Sequence, residues 1–177
     1  MLQKAKISHR GFTLIEVIAV LIIIAVIAVV AVSRSVDYSA EVYSGADALK
    51  AHLRYAQIMA MNSNPSSGAA VWGISGTVSS YWLFQGTNPA AAATYIRLPE
   101  DETFLNSDRT INLTAKKIKL ADNFTIYFDN RGIPYSAYTS KTVNTPLAVA
   151  LTINIQPLDA ATPSVAITIT PQTGYIP

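Results

Sequence analysis

The sequence predicts an α+β protein in which a long N-terminal α-helix is followed by an antiparallel β-sheet head. Three observations carry this prediction. Residues from Gly11 to Val32 form an apolar run that contains one carboxylate, Glu16. Residues 33–63 contain no proline and keep a helical spacing of apolar positions. After Gly68, short runs rich in β-branched and aromatic residues alternate with turn residues, as is typical of strands.

The composition excludes several classes of function. The chain of 177 residues has no cysteine, which excludes disulfides, thiolate metal sites and a cysteine nucleophile. It has 13 Lys and Arg against 11 Asp and Glu, a net charge of +2. Three of the cations, Lys4, Lys6 and Arg10, precede Gly11, so the remainder carries ten basic and eleven acidic residues, a net charge of −1. A nearly neutral body gives no general electrostatic reason to bind nucleic acid.

The apolar run has the length of a membrane span. Leu14 to Val32 would extend about 28 Å as a helix, close to the hydrocarbon thickness of a bilayer. The cations before it predict that the N-terminus stays cytoplasmic and that the body lies across the membrane. Two alternatives are a plain signal anchor and a secretory signal peptide cleaved at Ala31-Val32-Ser33. The run is longer than the roughly 7–15 apolar residues of a signal-peptide core.

Glu16 is the unusual residue of this run. A carboxylate costs about 2.5–3.5 kcal/mol at the centre of a bilayer and less near its surface. Either Glu16 lies close enough to the surface to reach lipid headgroups, or it pairs with a cation.

The order of residues around Glu16 resembles a known signature. Arg10-Gly11-Phe12-Thr13-Leu14-Ile15-Glu16, after a basic leader and before an apolar helix, is similar to the prepilin signature of type IV pilins and type II secretion pseudopilins. The resemblance implies that a prepilin peptidase cleaves after Gly11 and that Phe12 becomes the N-methylated first residue. It further implies that Glu16 meets the amino terminus of a neighbouring subunit and sets the register of assembly, since a paired charge is less costly in an apolar core.

These observations divide the chain into four segments. Residues 1–11 form the leader, and residues 12–33 form a transmembrane and assembly helix. Residues 34–63 continue it as an amphipathic helix, and residues 64–177 form the β-rich head. A buried stripe should hold the head against the amphipathic part. The stripe consists of Val42, Ala46, Leu49, Leu53, Ala56 and Ala60.

The head is expected to contain six to eight short antiparallel strands. A hairpin is predicted over residues 71–85 with Gly76 between its two strands, and turns are predicted at Asp129–Gly132 and Pro171–Gly174. The other predicted strands cover residues 94–98, 111–113, 117–120, 125–128, 148–155 and 165–170.

Three segments suggest a subgroup of the family. Leu53–Gln57 resembles the helix end of the minor pseudopilin H and of FimT-like minor pilins. Phe128–Gly132 and Thr173–Ile176 are similar to a hairpin and a final strand of that group. Its DNA-binding members use a basic C-terminal tail, whereas this chain has no Lys or Arg after Lys141.

Few residues outside the N-terminal segment could carry chemistry. His9 lies in the leader, and His52 is interpreted as a solvated or packed helix residue, because one histidine provides neither a metal set nor a catalytic triad. The pairs Asp122-Asn123 and Asp129-Asn130 could offer oxygens to calcium, but such pairs beside strands are usually turn formers. A basic cluster of Lys116, Lys117 and Lys119 is interpreted as a solvated strand face.

The sequence therefore predicts a structural filament subunit and no enzyme, with no catalytic residue, metal or cofactor. The expected partners are the prepilin peptidase, other pilin or pseudopilin subunits, the inner-membrane assembly platform and, before assembly, membrane lipid. We expect no nucleic-acid partner. The protein should be a single-pass protein of the cytoplasmic membrane that later enters a pilus or pseudopilus. The alternatives are a DNA-binding minor pilin for DNA uptake and a signal-anchored enzyme or binding module.

Overall fold

The computed structural model describes residues 13–34, 39–64 and 71–177. The described residues contain two long helices, α1 (Leu14–Arg34) and α2 (Ser39–Met61). The predicted continuous helix over residues 12–63 is thus represented by two helices, and residues 35–38 between them lie outside the described residues. The chain divides into two compact units, one containing α1 and the other containing α2 and all of the strands described below.

The described residues of the head contain ten strands, which build two antiparallel sheets. A large sheet has the order β3-β2-β1-β6-β7-β8, with β4 also paired to β2, and a small sheet has the order β10-β9-β5. The strands are β1 (Trp72–Thr77), β2 (Ser80–Gln85), β3 (Tyr95–Ile96), β4 (Ile111–Asn112), β5 (Ile118–Leu120), β6 (Phe124–Phe128), β7 (Pro134–Tyr138), β8 (Asn144–Pro146), β9 (Leu151–Pro157) and β10 (Val165–Ile169).

The predicted stripe of α2 forms one wall of the core. All six of its members are at most 1% exposed. The helix contacts strands of both sheets, namely β1 and β6 of the large sheet and β5, β9 and β10 of the small one. Gly45 allows this close approach, because a Cβ at that position would collide with Cδ1 of Ile118 on β5. The helical periodicity of the sequence therefore identified the contact that joins the two sheets.

The opposite face of the large sheet carries a second, aromatic cluster. Successive side chains of a strand point to opposite faces, so Leu83 joins the core beside α2 while its neighbour Phe84 joins the second cluster. The Phe84 ring meets Tyr127 edge-on, with their centroids 5.2 Å apart. Tyr95 and Tyr135 are also buried in this cluster.

Three details of the predicted strand pattern were wrong. Gly76 lies inside β1 rather than in a turn, and the chain reverses at residues 78–79. A glycine is required there because a Cβ would press against the Phe124 ring on the neighbouring strand. Strands β7 and β8 were not predicted. Tyr175-Ile176 is not a strand, although the side chain of Ile176 is buried.

Over the ranges that the structure describes, no helix is both long enough and apolar enough to cross a membrane.

Candidate functional site

Helix α1 exposes apolar side chains in every direction. Each of its large apolar residues between Leu14 and Ile27 is 47–78% exposed. Burying one such side chain is worth about 1.5–3 kcal/mol, so leaving this many in water is unfavourable by an amount on the order of tens of kcal/mol. A helix that is apolar all round requires apolar surroundings. The residues are Leu14, Ile15, Val17, Ile18, Val20, Leu21, Ile22, Ile23, Ile24, Val26 and Ile27.

Glu16 caps the start of this helix. It lies in the first turn, and one of its carboxylate oxygens accepts a hydrogen bond from the backbone N–H of Thr13 at 3.4 Å, which is long for such a bond. The N–H groups of Glu16 and Val17 donate in turn to the Thr13 carbonyl, at 3.0 and 3.3 Å. This is one half of a capping box, and a negative charge in the first turn also complements the helix dipole. Glu16 therefore has a local role besides any contact between subunits.

The predicted cleavage residues cannot be placed. Gly11 and Phe12 lie outside the described residues. The assignment of Gly11 and Phe12 to cleavage, of Phe12 to methylation and of Glu16 to assembly register stays a prediction.

In the head, the end of α2 holds two distant loops. The side-chain amide of Gln57 donates to the Gly132 carbonyl at 2.9 Å and to the Thr173 carbonyl at 3.1 Å. One turn earlier, the Arg54 guanidinium donates to the Ile176 carbonyl at 2.9 Å. We call these three hydrogen bonds the clasp. The clasp joins the three segments whose sequences resemble the pseudopilin H and FimT-like subgroup.

The predicted turn after β6 is organised by Asp129, which is 5% exposed. Its Oδ1 accepts the backbone N–H groups of Arg131 and Ile133, at 2.9 and 3.0 Å. Its Oδ2 accepts two guanidinium nitrogens of Arg131, at 3.1 and 3.0 Å, and the hydroxyl of Tyr135 at 3.1 Å. Gly132 completes the turn with a φ of +77°, a value that favours glycine. Both carboxylate oxygens of Asp129 are thus occupied by donors, as in a turn former.

His52 is packed rather than solvated. Its ring is 4% exposed, with Nδ1 2.9 Å from the Tyr81 hydroxyl and Nε2 3.4 Å from the Pro99 carbonyl. Since the carbonyl can only accept, Nε2 must carry the proton, and Nδ1 then accepts from Tyr81. Burial lowers the pKa of His52, while the Pro99 carbonyl and Glu100 oppose the shift and Lys116 adds to it. Burial also raises the pKa of Tyr81, so the pair stays neutral at neutral pH.

Two of the three lysines in the predicted basic cluster bind other groups of the head. Lys116 forms an ion pair with Glu100 at 2.6 Å, both side chains being 14% exposed, and its ammonium lies 4.5 Å from the centre of the Phe104 ring. Lys119 donates to the Leu158 carbonyl at 2.9 Å. Lys117 alone of the three is exposed. Within the described ranges, no group of three or more His, Cys, Asp and Glu side chains could hold a metal ion.

Sequence reasoning missed two features of these sites for different reasons. The cap on α1 was available from the sequence, because Thr13 and Glu16 have the spacing of a capping box. The partners of Gln57 and His52 were not, because they are separated from these residues by at least 29 positions and meet only through the sheet topology.

A comparison with family models identifies the prokaryotic N-terminal methylation motif at residues 7–32. The matched residues include Gly11, Phe12 and Glu16 and cover about one seventh of the chain. The motif is that of a prepilin-type signal, and the match supports a membrane-anchored, type IV pilin-like protein that is processed by a prepilin peptidase. Searches of curated proteins and of solved structures gave no match.

We predict that Gln57→Glu destabilises the head. The change keeps the size of the side chain but replaces the amide donor by a carboxylate, whose oxygens would face the Gly132 and Thr173 carbonyls. Leaving such groups unpaired costs about 1–3 kcal/mol. The measurement is the urea midpoint of the full chain in detergent, followed by the fluorescence of Trp72 and Trp82, which both lie in the head. Ser44→Ala, at an exposed position of the same helix, is the control. Equal midpoints for the two variants would show that the clasp does not stabilise the fold.

We predict that acidification weakens the head through His52. Because its pKa is lowered in the folded state, the unfolded chain binds a proton at a higher pH than the folded chain. The stabilisation is complete above the ordinary histidine pKa of about 6.5 and falls as the pH drops below it, by at most about 1.4 kcal/mol per pH unit. Urea unfolding at about pH 7.5 and about pH 5.5 measures the loss, and His52→Gln should reduce it. An identical pH dependence in the variant would contradict this assignment.

Proposed function

We propose that this protein is a structural subunit of a type IV pilus-like or type II secretion pseudopilus filament, assembled through its N-terminal helix. The observation that carries the proposal is the methylation motif at residues 7–32, which leads directly into a helix with exposed apolar side chains in every direction. The motif supports processing, and the helix supports packing against other apolar helices.

The apolar helix requires two successive environments. Before assembly, the protein is a single-pass protein of the cytoplasmic membrane, with the basic leader inside and the head on the far side. This part of the proposal is carried by the motif and by the cations Lys4, Lys6 and Arg10. After the peptidase cleaves behind Gly11 and Phe12 is methylated, the assembly platform moves the helix from lipid into a bundle of equivalent helices. Either environment covers the same side chains.

Glu16 then serves as the polar register element of the bundle. An amino terminus created at Phe12 would place a positive charge in an apolar core, and the Glu16 carboxylate of a neighbouring subunit would neutralise it. Its hydrogen bond to the Thr13 amide holds the carboxylate at the helix start, where such a contact is needed.

We propose that the head belongs to a minor filament subunit rather than to an independent enzyme. The clasp involves the three segments that resemble the pseudopilin H and FimT-like subgroup, and this supports a minor pilin or pseudopilin. His52 and Asp129 form hydrogen bonds with other groups of the head, which fits a structural role without catalysis. The DNA-uptake alternative is less well supported, because Lys116 and Lys119 are engaged within the head.

We predict that the membrane form of the protein begins at N-methylated Phe12. Mass spectrometry of the purified protein, together with N-terminal sequencing, measures this directly. A form that keeps Met1, or one that begins after Ser33, would contradict the proposal and favour a signal anchor or a secretory signal peptide. Gly11→Leu, which adds a large side chain at the cleaved bond, should leave the leader attached.

We predict that Glu16→Gln is processed normally but enters filaments poorly. Glutamine can still cap the helix from this position, so the substitution removes the charge and keeps the local contact. An unpaired ammonium in an apolar core costs about 3–5 kcal/mol, which corresponds to about a hundredfold or more in assembly. Glu41→Gln, in the first turn of α2, is the matched control.

The readouts are the mass of the membrane form and the amount of subunit in sheared filaments. Normal filament entry of Glu16→Gln combined with loss in Glu16→Ala would reduce Glu16 to a helix cap. Normal entry of both variants would refute any role of Glu16 in assembly.

A further inference from the structure

A small polar cavity lies along strand β7 of the head, apart from every residue that the proposed assembly uses. Its volume is about 180 Å³. One end is formed by the turn after β6 and the other by the loop between β7 and β8. The lining residues are Asp129, Asn130, Arg131, Tyr135, Tyr138, Lys141 and Asn144.

A β-bulge creates the aromatic wall of this cavity. Tyr135 and Tyr138 are three positions apart and would point to opposite faces of a regular strand. The pairing with β8 shifts register between Tyr135 and Ala137, which turns Tyr138 to the same face. The two rings meet edge-on with centroids 5.2 Å apart, Tyr135 being buried and Tyr138 half-buried. The bulge thus presents part of an aromatic ring to the cavity.

Asp129 fixes a cation at one end of the cavity. It binds Nε and Nη2 of Arg131, and Nη2 also lies 3.2 Å from the Tyr135 hydroxyl. The Arg131 side chain nevertheless stays 65% exposed, whereas that of Asp129 is 8% exposed. A guanidinium held in one orientation, with its charge open to solvent, is suited to recognise a carboxylate or a phosphate.

The other end of the cavity adds a second positive charge. Lys141 lines it beside Asn144, whose amide is held by the carbonyls of Ser140 and Lys141 at 3.1 and 2.8 Å. The single acidic side chain of the lining, Asp129, is already bound by five donors. The lining side chains carry two positive charges and one negative charge, a net charge of +1, and they combine a ring face, amide groups and two cations within one small volume.

We propose that this cavity binds an acidic saccharide, a sugar ring that carries a carboxylate or a phosphate. The acid group pairs with Arg131 and Lys141, the apolar side of the ring lies against Tyr138, and the amides of Asn130 and Asn144 receive the hydroxyls. Arg131 and Lys141 favour an acidic ligand over a neutral one, and Tyr138 favours a ligand with a ring.

A nucleic acid fits the same surface less well. Residues 39–177 carry nine Lys and Arg and nine Asp and Glu, a net charge of zero, so the head offers no extended positive field. The lining residues are also confined to the turn after β6, strand β7 and the segment that leads into β8, whereas a polyanion needs a groove that continues along its backbone.

The test is NMR titration of the isotope-labelled full chain in a detergent without a sugar headgroup. The probes are galacturonate, glucose 6-phosphate, neutral glucose and a single-stranded oligonucleotide. At least one of the two acidic sugars should shift the amide signals of Tyr138 and Asn144, with a dissociation constant of about 1 mM, and glucose should bind about tenfold more weakly or less. Whichever acid binds identifies the recognised group.

Two variants and a control locate the site. Lys141→Ala should weaken binding of the acidic sugar about tenfold, and Tyr138→Leu should weaken acid and neutral sugars alike, with dispersed spectra confirming that both variants fold. Lys117→Ala removes an exposed lysine that does not line the cavity and should change nothing. The proposal is overturned if neither acid shifts these signals or if glucose binds equally well. It is also overturned if Lys117→Ala weakens binding as much as Lys141→Ala, or if the oligonucleotide binds more tightly through the same residues.

Discussion

The burial of one face of α2 against both sheets is the contact on which the head depends. The large and the small sheet share this helix as a common wall, and its six stripe residues are almost completely enclosed. Small side chains at Ala46, Ala56 and Ala60, together with Gly45, let the strands approach closely. Dense packing of this kind tolerates little added volume. Helix α2 is therefore the centre of the folded head.

A second constraint acts at the end of α2, where polar rather than apolar contacts dominate. In the turn organised by Asp129, the Gly132 carbonyl accepts a hydrogen bond of the clasp. The Arg131 guanidinium, which Asp129 binds, lines the cavity along β7. One buried carboxylate thus fixes both a contact that holds the C-terminal loop and the cation that we propose for ligand binding. A substitution at Asp129 would disturb both functions, which is why the tests above change residues at the periphery of each.

The sequence predicted the parts of the fold that follow from local periodicity. The stripe on α2 and the strands β2, β6 and β10 have regular apolar patterns, and their positions were predicted to within a few residues. Strands β7 and β8 were missed because they begin or end with proline, at Pro134 and Pro146, and owe their conformation to pairing with neighbouring strands. The bulge that turns Tyr138 depends on that pairing, so no sequence pattern could have identified the cavity. The methylation motif, in contrast, is linear and could be recognised from its residue order alone.

The outer strands of the two sheets determine whether heads that lie side by side would aggregate. An outer strand with free backbone groups can recruit a strand from another molecule, and a head without net charge has little repulsion to prevent it. Here β3 has only two residues, β8 ends in Pro146, and β10 lies between Pro163 and Pro171. Proline cannot donate a backbone hydrogen bond, so these ends limit the growth of a shared sheet. In the filament that we propose, the contacts between copies would then be made by the apolar helices rather than by the edges of the sheets.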